Sequence, residues 1–296
     1  MTATDDIEDS SAPLIEHLAE LRTRLIRAVI AFVIGFVICF IFGKYLLDFL
    51  LIPIEKTMRA LGDPNPVMQY TAPQEYFFTL VRVAMVAGLG LSFPAIAHQL
   101  WRFVAPGLYR NERSAFLPFL IASPVLFISG ASFAHFIVTP LAMQFFLGFA
   151  DASSLISAFL VEGSDVAATS SEGIAIVFQG KVNETLDITL KLIVAFGLCF
   201  QLPVLLTLMG KAGLVSAEGL GNVRKYAVVA ILALAAVVTP PDVISQVILF
   251  IVVYGLYEVS IFLVARVEKD REAKLREEGY YDDEEEADIE VADDDR

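Results

Sequence analysis

The sequence contains few of the residues on which soluble enzymes build their chemistry. It has two cysteines, Cys39 and Cys199, and three histidines among 296 residues. Both cysteines lie inside long apolar runs, so we predict small packing residues rather than a disulfide or a metal pair. The His and Cys spacing of a metal site and a nucleophile–base arrangement are both missing. We therefore expect no catalytic residue, no metal and no cofactor.

Three further absences narrow the class of protein. No Gly-rich phosphate-binding loop followed by Lys and Ser or Thr occurs, which argues against ATP hydrolysis. No internal repeat is visible. The acidic start, MTATDDIEDSS, is not followed directly by a short cleavable apolar core, so we predict no signal peptide. We also expect no nucleic-acid partner.

Long apolar runs dominate what is present. The mean hydropathy of +0.66 and the 56% share of hydrophobic residues exceed what one soluble core of this size would bury. We predict an all-α polytopic membrane protein with six transmembrane helices. The predicted spans cover roughly residues 25–47, 77–100, 115–146, 189–209, 226–238 and 243–265. The fifth is short, and would thin the bilayer locally or need neighbours at its ends.

Lysine and arginine predict the orientation. The N-terminal flank, the second–third loop, the fourth–fifth loop and the C-terminal flank carry 14 of them, and the opposite side carries four. The positive-inside rule places both termini in the cytoplasm. The chain then divides into a cytoplasmic segment 1–24, a membrane domain 25–265 and a charged tail 266–296. Twelve acidic residues against Arg296 in the last twenty predict a disordered, solvated tail.

The segment before the first span is predicted to form an amphipathic helix. Leucines repeat at helical spacing from Leu14 to Leu25, which indicates a helix that lies on the cytoplasmic face before turning into the membrane. Glu16, Glu20 and Arg24 form one ridge at i, i+4 and i+8. This ridge is either a solvated face with i,i+4 ion pairs or an acidic surface that meets a basic ligand.

The segment QLWRFVAPGLYRNER, residues 99–113, separates two spans and is predicted to be a short loop at a membrane face. Its aromatic residues suit the headgroup zone, and Pro106 with Gly107 breaks the helix. Glu112 is presented beside Arg110 and Arg113. Such a charged platform is our first candidate for a recognition site.

Polar and proline residues in or near the spans need an explanation as well. Gln201 lies well inside the fourth span, and its amide needs a hydrogen-bonding partner from this chain or from another helix. Asp242 and Gln246 lie one turn apart at the outer end of the sixth span, where Asp242 either caps the helix or contacts a partner. Two structural features are predicted at prolines. They are a hard turn at Pro240 and Pro241, and an interruption of segment 44–73, which contains Pro53.

Together these pieces resemble a known family, TatC, the multispanning subunit of the twin-arginine, Sec-independent protein translocase. The resemblance runs from about Leu14 to Arg266. Its motifs are HLAELRTRL, QLWRFVAPGLYRNER, FGLCFQLPV and TPPDVISQ. Six spans with both termini inside agree with it.

The resemblance implies a receptor in the bacterial inner membrane for twin-arginine signal peptides of folded proteins. It implies single-span partners of the TatA and TatB types, self-association in a larger complex, and export driven by the proton motive force. By motif, the signal-peptide site comprises Glu20 and Arg22 from the first element and Phe103, Glu112 and Arg113 from the loop. Carboxylates accept a guanidinium bidentately, so we expect Glu20 and Glu112 to hold the two arginines.

The sequence departs from the family at Gln201, where Glu is common, so a role that needs a carboxylate there is in doubt. A hydrogen bond from Gln201 to a partner helix remains open, as do partner contacts at Asp242 and Gln246. A secondary transporter is the main alternative function, but its paired interrupted spans are missing. A purely structural anchor is the third, and it leaves the loop around Glu112 unexplained.

Overall fold

The computed structural model describes residues 5–104, 117–148, 180–239 and 243–277, and this part of the chain is almost entirely helical. A helix satisfies its own backbone N–H and C=O groups, as a chain in hydrocarbon must. Within these ranges the exception is a short parallel pairing of β1 (Met68–Gln69) with β2 (Gly180–Lys181). The prediction of a helical protein is confirmed.

The helices lie in simple chain order. They are α1 (Asp5–Ile41), α2 (Gly43–Ala60), α3 (Pro73–Val104), α4 (Leu117–Phe133), a π-helical turn (Ala134–Val138), α5 (139–148), α6 (Val182–Cys199), α7 (Leu202–Lys211), α8 (Ala217–Asn222), α9 (Arg224–Val238) and α10 (Val243–Glu277).

Five helical stretches of the described chain are long and apolar enough to cross a bilayer. They are Ala19–Ile41, Pro73–Leu100, Pro118–Gly148, Val182–Lys211 and Val243–Ala273. Helix α9 has 15 residues, fewer than the roughly 20 that a span perpendicular to the membrane needs. The sixth span therefore stays a prediction.

The structure corrects the sequence-based boundaries in three places. The amphipathic helix does not turn before the first span, since α1 continues unbroken to Ile41; residues 14–34 contain no Gly or Pro to stop it. The first apolar stretch ends at Phe42 rather than at residue 47, and α2 starts afresh at Gly43. The fourth stretch breaks at residues 200–201, because Pro203 has no N–H to continue the ladder of α6.

Helices α1 and α3 pack through glycine. A Cβ on Gly88 would lie 2.7 Å from the Cα of Phe36, and a Cβ on Gly35 would lie 2.8 Å from the Gly88 carbonyl oxygen. Further along the chain, Gly43 faces Leu80. Numbers rise along one partner as they fall along the other, so this packing is antiparallel. The small residues let the backbones approach closely, as is common between membrane helices.

The largest buried cluster lies between the π-helical turn, α6, α9 and α10. Its fully buried members include Leu192, Phe196, Leu249, Val253 and Val264. Buried hydroxyl groups are mostly satisfied within their own helix: Ser92 donates to the Gly88 carbonyl and Thr189 donates to the Thr185 carbonyl. Apart from such back-bonded hydroxyls the cluster is apolar, which leaves the few inter-helix polar contacts conspicuous.

We predict that Gly88→Ala destabilises the protein by about 1–3 kcal/mol, because the new methyl group overlaps the backbone of Phe36. Gly90→Ala is the matched control on the same helix, since its methyl group would meet only the Phe127 ring at 3.7 Å. Thermal unfolding of both purified variants in detergent measures the difference. Equal midpoints for the two variants would contradict the close α1–α3 contact.

Candidate functional site

The inner end of α1 carries the first predicted site residues, Glu20 and Arg22. The Arg24 guanidinium donates to the Glu20 carboxylate through both Nε and Nη2, with Nε 3.0 Å from Oε1. The Glu20 side chain is 38% exposed and that of Arg24 only 12%. Arg22 is exposed. The ridge predicted from the sequence therefore includes an i,i+4 ion pair, and its carboxylate is the more accessible member.

The α1–α3 register brings the second predicted element to the same level. Glu20 lies 15 residues before Gly35, and Phe103 lies 15 residues after Gly88. At 1.5 Å per residue, both are about 22 Å from the glycine contact towards one end of the antiparallel pair. The backbone of Phe103 belongs to α3. Its side chain, and the residues Pro106, Glu112 and Arg113, lie outside the described part of the chain.

Gln201 lies at the break between α6 and α7 and bonds across to α4. Its Nε2 donates to the Ser123 carbonyl oxygen at 2.9 Å, and the Ser123 hydroxyl donates to its Oε1 at 2.7 Å. Both ends of the amide thus find partners within this chain. The hydrogen-bond need predicted from the sequence is met by one serine 78 residues away along the chain.

The other predicted positions fall into two groups. Gln246 is half-buried on the first turn of α10, and Pro53 is buried inside α2, which runs through it to Ala60. Pro53 therefore does not itself end the helix, and the segment is interrupted only after Ala60. Asp242, Pro240 and Pro241 lie outside the described residues.

Two ionic contacts escaped prediction because their partners are distant in sequence. Arg224, at the start of α9, donates through Nε and Nη2 to both oxygens of Glu258 on α10, each at 2.9 Å, and the Tyr254 hydroxyl also donates to Glu258. The Glu268 carboxylate accepts from the backbone N–H of Ala217 at the start of α8. The signal for the first pair was a carboxylate in an apolar run, which requires a cation.

The described residues hold no cluster of three or more His, Cys, Asp or Glu side chains that would bind a metal ion. The polar chemistry of this part of the chain is that of ion pairs and amide hydrogen bonds. Such groups hold helices together and recognise charged peptides.

We predict that Ser123 and Gln201 are energetically coupled. A double-mutant cycle of Ser123→Ala and Gln201→Ala should give a coupling of about 0.6 kcal/mol or more, since the Ser123 hydroxyl loses its bond in either variant. Thermal unfolding of the purified variants measures it. Ser92→Ala is the control, because Ser92 bonds only within α3 and its effect should add independently to that of Gln201→Ala.

Comparison with known proteins agrees with the sequence resemblance. A family model described as Sec-independent protein translocase protein (TatC) matches residues 16–251. The TatC of Magnetococcus marinus is 42% identical, over 98% of this chain and 96% of that protein. The TatC of Aquifex aeolicus is 39% identical, over 85% of this chain and 94% of that protein.

Solved structures give the same result. A crystal structure of the twin-arginine translocase receptor TatC superposes with a TM-score of 0.68 and 37% sequence identity, covering 85% of this chain and 99% of that one. Five long apolar helices agree with a multi-pass membrane protein. The chain therefore belongs to the TatC family of Sec-independent protein translocase proteins.

Proposed function

We propose that this translocase component is the receptor and core subunit that binds twin-arginine signal peptides at the cytoplasmic face of the bacterial inner membrane. The observation that carries the proposal is the level match of Glu20 on α1 with Phe103 on α3. Segment 105–116, which holds Glu112, follows α3 directly in the chain. Two carboxylates from separate elements would then meet one short peptide, and the proposal involves no catalytic step.

The chemistry of the site suits a guanidinium ligand. Glu20 already accepts the guanidinium of Arg24, which supports its ability to bind an arginine at this position. An arginine presents a rigid fork of donors that a carboxylate accepts bidentately, whereas a lysine presents a point charge. Arg22, Phe103 and Arg113 complete the proposed peptide site.

A second surface is proposed for the single-span partners of the TatA and TatB types. It comprises Gln201, Asp242 and Gln246, with self-association of the subunit in a larger complex. Support comes from the exposed apolar side chains of α9 and α10 near Gln246, among them Val237 and Val243. A polar group beside such a surface gives a partner helix one specific hydrogen bond. The passage of folded cargo, driven by the proton motive force, would then belong to the assembly.

We predict that Glu20→Gln and Glu112→Gln each weaken binding of a twin-arginine peptide by about tenfold or more, since a hydrogen bond to a charged group contributes about 1.5–3 kcal/mol. Fluorescence anisotropy with the full-length protein in phospholipid nanodiscs measures the affinity. Glu55→Gln is the matched control, because it removes a similar i,i+4 pair with Arg59 on α2. Undiminished binding in both site variants would refute the assignment.

The proposed topology has six spans with both termini in the cytoplasm, which requires α9 to cross the membrane. We predict that cysteines introduced at Ala3 and at Ala292, in a background with Cys39 and Cys199 replaced by Ala, resist an impermeant maleimide in intact cells. A cysteine at Leu61, at the end of α2, should react. Labelling at only one terminus would indicate five spans, because an odd number places the termini on opposite sides.

A further inference from the structure

The carboxylate proposed to bind a signal-peptide arginine is already engaged by an arginine of its own helix. Arg24 contacts Oε1 of Glu20 through Nε and Nη2. These are the same donor atoms that a peptide arginine would present. Any incoming guanidinium therefore has to share or displace an existing contact of the same chemistry.

Burial makes this exchange unequal for the two partners. The Arg24 side chain is 12% exposed, and the Glu20 side chain is 38% exposed. A ligand from the cytoplasm therefore reaches the carboxylate more readily than the guanidinium. Drawing the carboxylate away leaves Arg24 largely desolvated with a weakened counter-ion, and removing one member of a buried pair is costly.

We propose that Arg24 is a built-in competitor for Glu20 that sets the preference of the site for arginine over lysine; this inference rests on the proposed function. A guanidinium replaces the Arg24 contacts with an equivalent fork of donors. An ammonium group offers a single centre of charge and replaces them less well. The Arg24–Glu20 pair thus acts as a threshold that a twin-lysine peptide fails to pass.

A purely structural role predicts a different result. Glu followed by Arg at i+4 is the favourable order for helix stability, and the pair contributes a few tenths of a kcal/mol when exposed. In that case, removal of Arg24 would change the affinities for arginine and lysine peptides by the same factor. The ratio of the two affinities therefore separates competition from support of the helix.

The test measures the affinity of full-length protein in phospholipid nanodiscs for a twin-arginine peptide and for its twin-lysine counterpart. We expect Arg24→Gln to raise the affinity for the lysine peptide more than that for the arginine peptide, lowering the ratio by about fivefold or more. Arg24→Lys, which keeps the charge without the fork, should give an intermediate ratio. Arg27→Gln is the matched control, because it removes the same charge from the next turn of α1 and leaves the pair intact.

Glu20 variants separate the two proposals. In the Glu20→Gln background, Arg24→Gln should no longer change the ratio. An unchanged ratio in Arg24→Gln alone, or an equal fall in Arg27→Gln, would overturn the competitor role while leaving the receptor site in place if Glu20→Gln still weakens binding of the arginine peptide. Undiminished arginine-peptide binding in Glu20→Gln would instead remove Glu20 from the receptor site, and the competitor role with it.

Discussion

The close contact between Gly35 and Gly88 determines how the first two long helices align, and the candidate site depends on that alignment. Lipid is as apolar as the side chains that it surrounds, so membrane helices gain little from apolar burial and rely on close van der Waals packing. Two facing glycines allow that packing at one position only. From there the register runs to Glu20 on one helix and to Phe103 on the other.

Polar groups within the helical body are paired inside the chain, which assigns them first to cohesion. Gln201 uses both ends of its amide on Ser123, and Glu258 accepts both donors of Arg224. An unpaired group at such depth would cost several kcal/mol, on the order of the net stability that one or two side chains supply. A glutamine at 201 fits this arrangement without a proton to bind or release.

The sequence predicted those features that depend on local pattern. Apolar runs of about 20 residues indicated the long helices, and the i,i+4 spacing of Glu20 and Arg24 indicated their ion pair. It could not predict contacts that depend on tertiary packing. Ser123 as the partner of Gln201 and Arg224 as the partner of Glu258 are 78 and 34 residues away in sequence. The continuity of α1 was also missed, because the change from charged to apolar residues near Leu25 was interpreted as a turn.

The central claim is that two acidic side chains from separate elements at one membrane face jointly hold a paired-arginine tag. The most direct measurement uses a signal peptide with a photoreactive residue beside its two arginines, bound to the full-length protein in nanodiscs and mapped by mass spectrometry after irradiation. The account predicts adducts both in the turn of α1 around Glu20 and within segment 105–116. Adducts confined to one of these elements, or found in segment 44–73 instead, would contradict it.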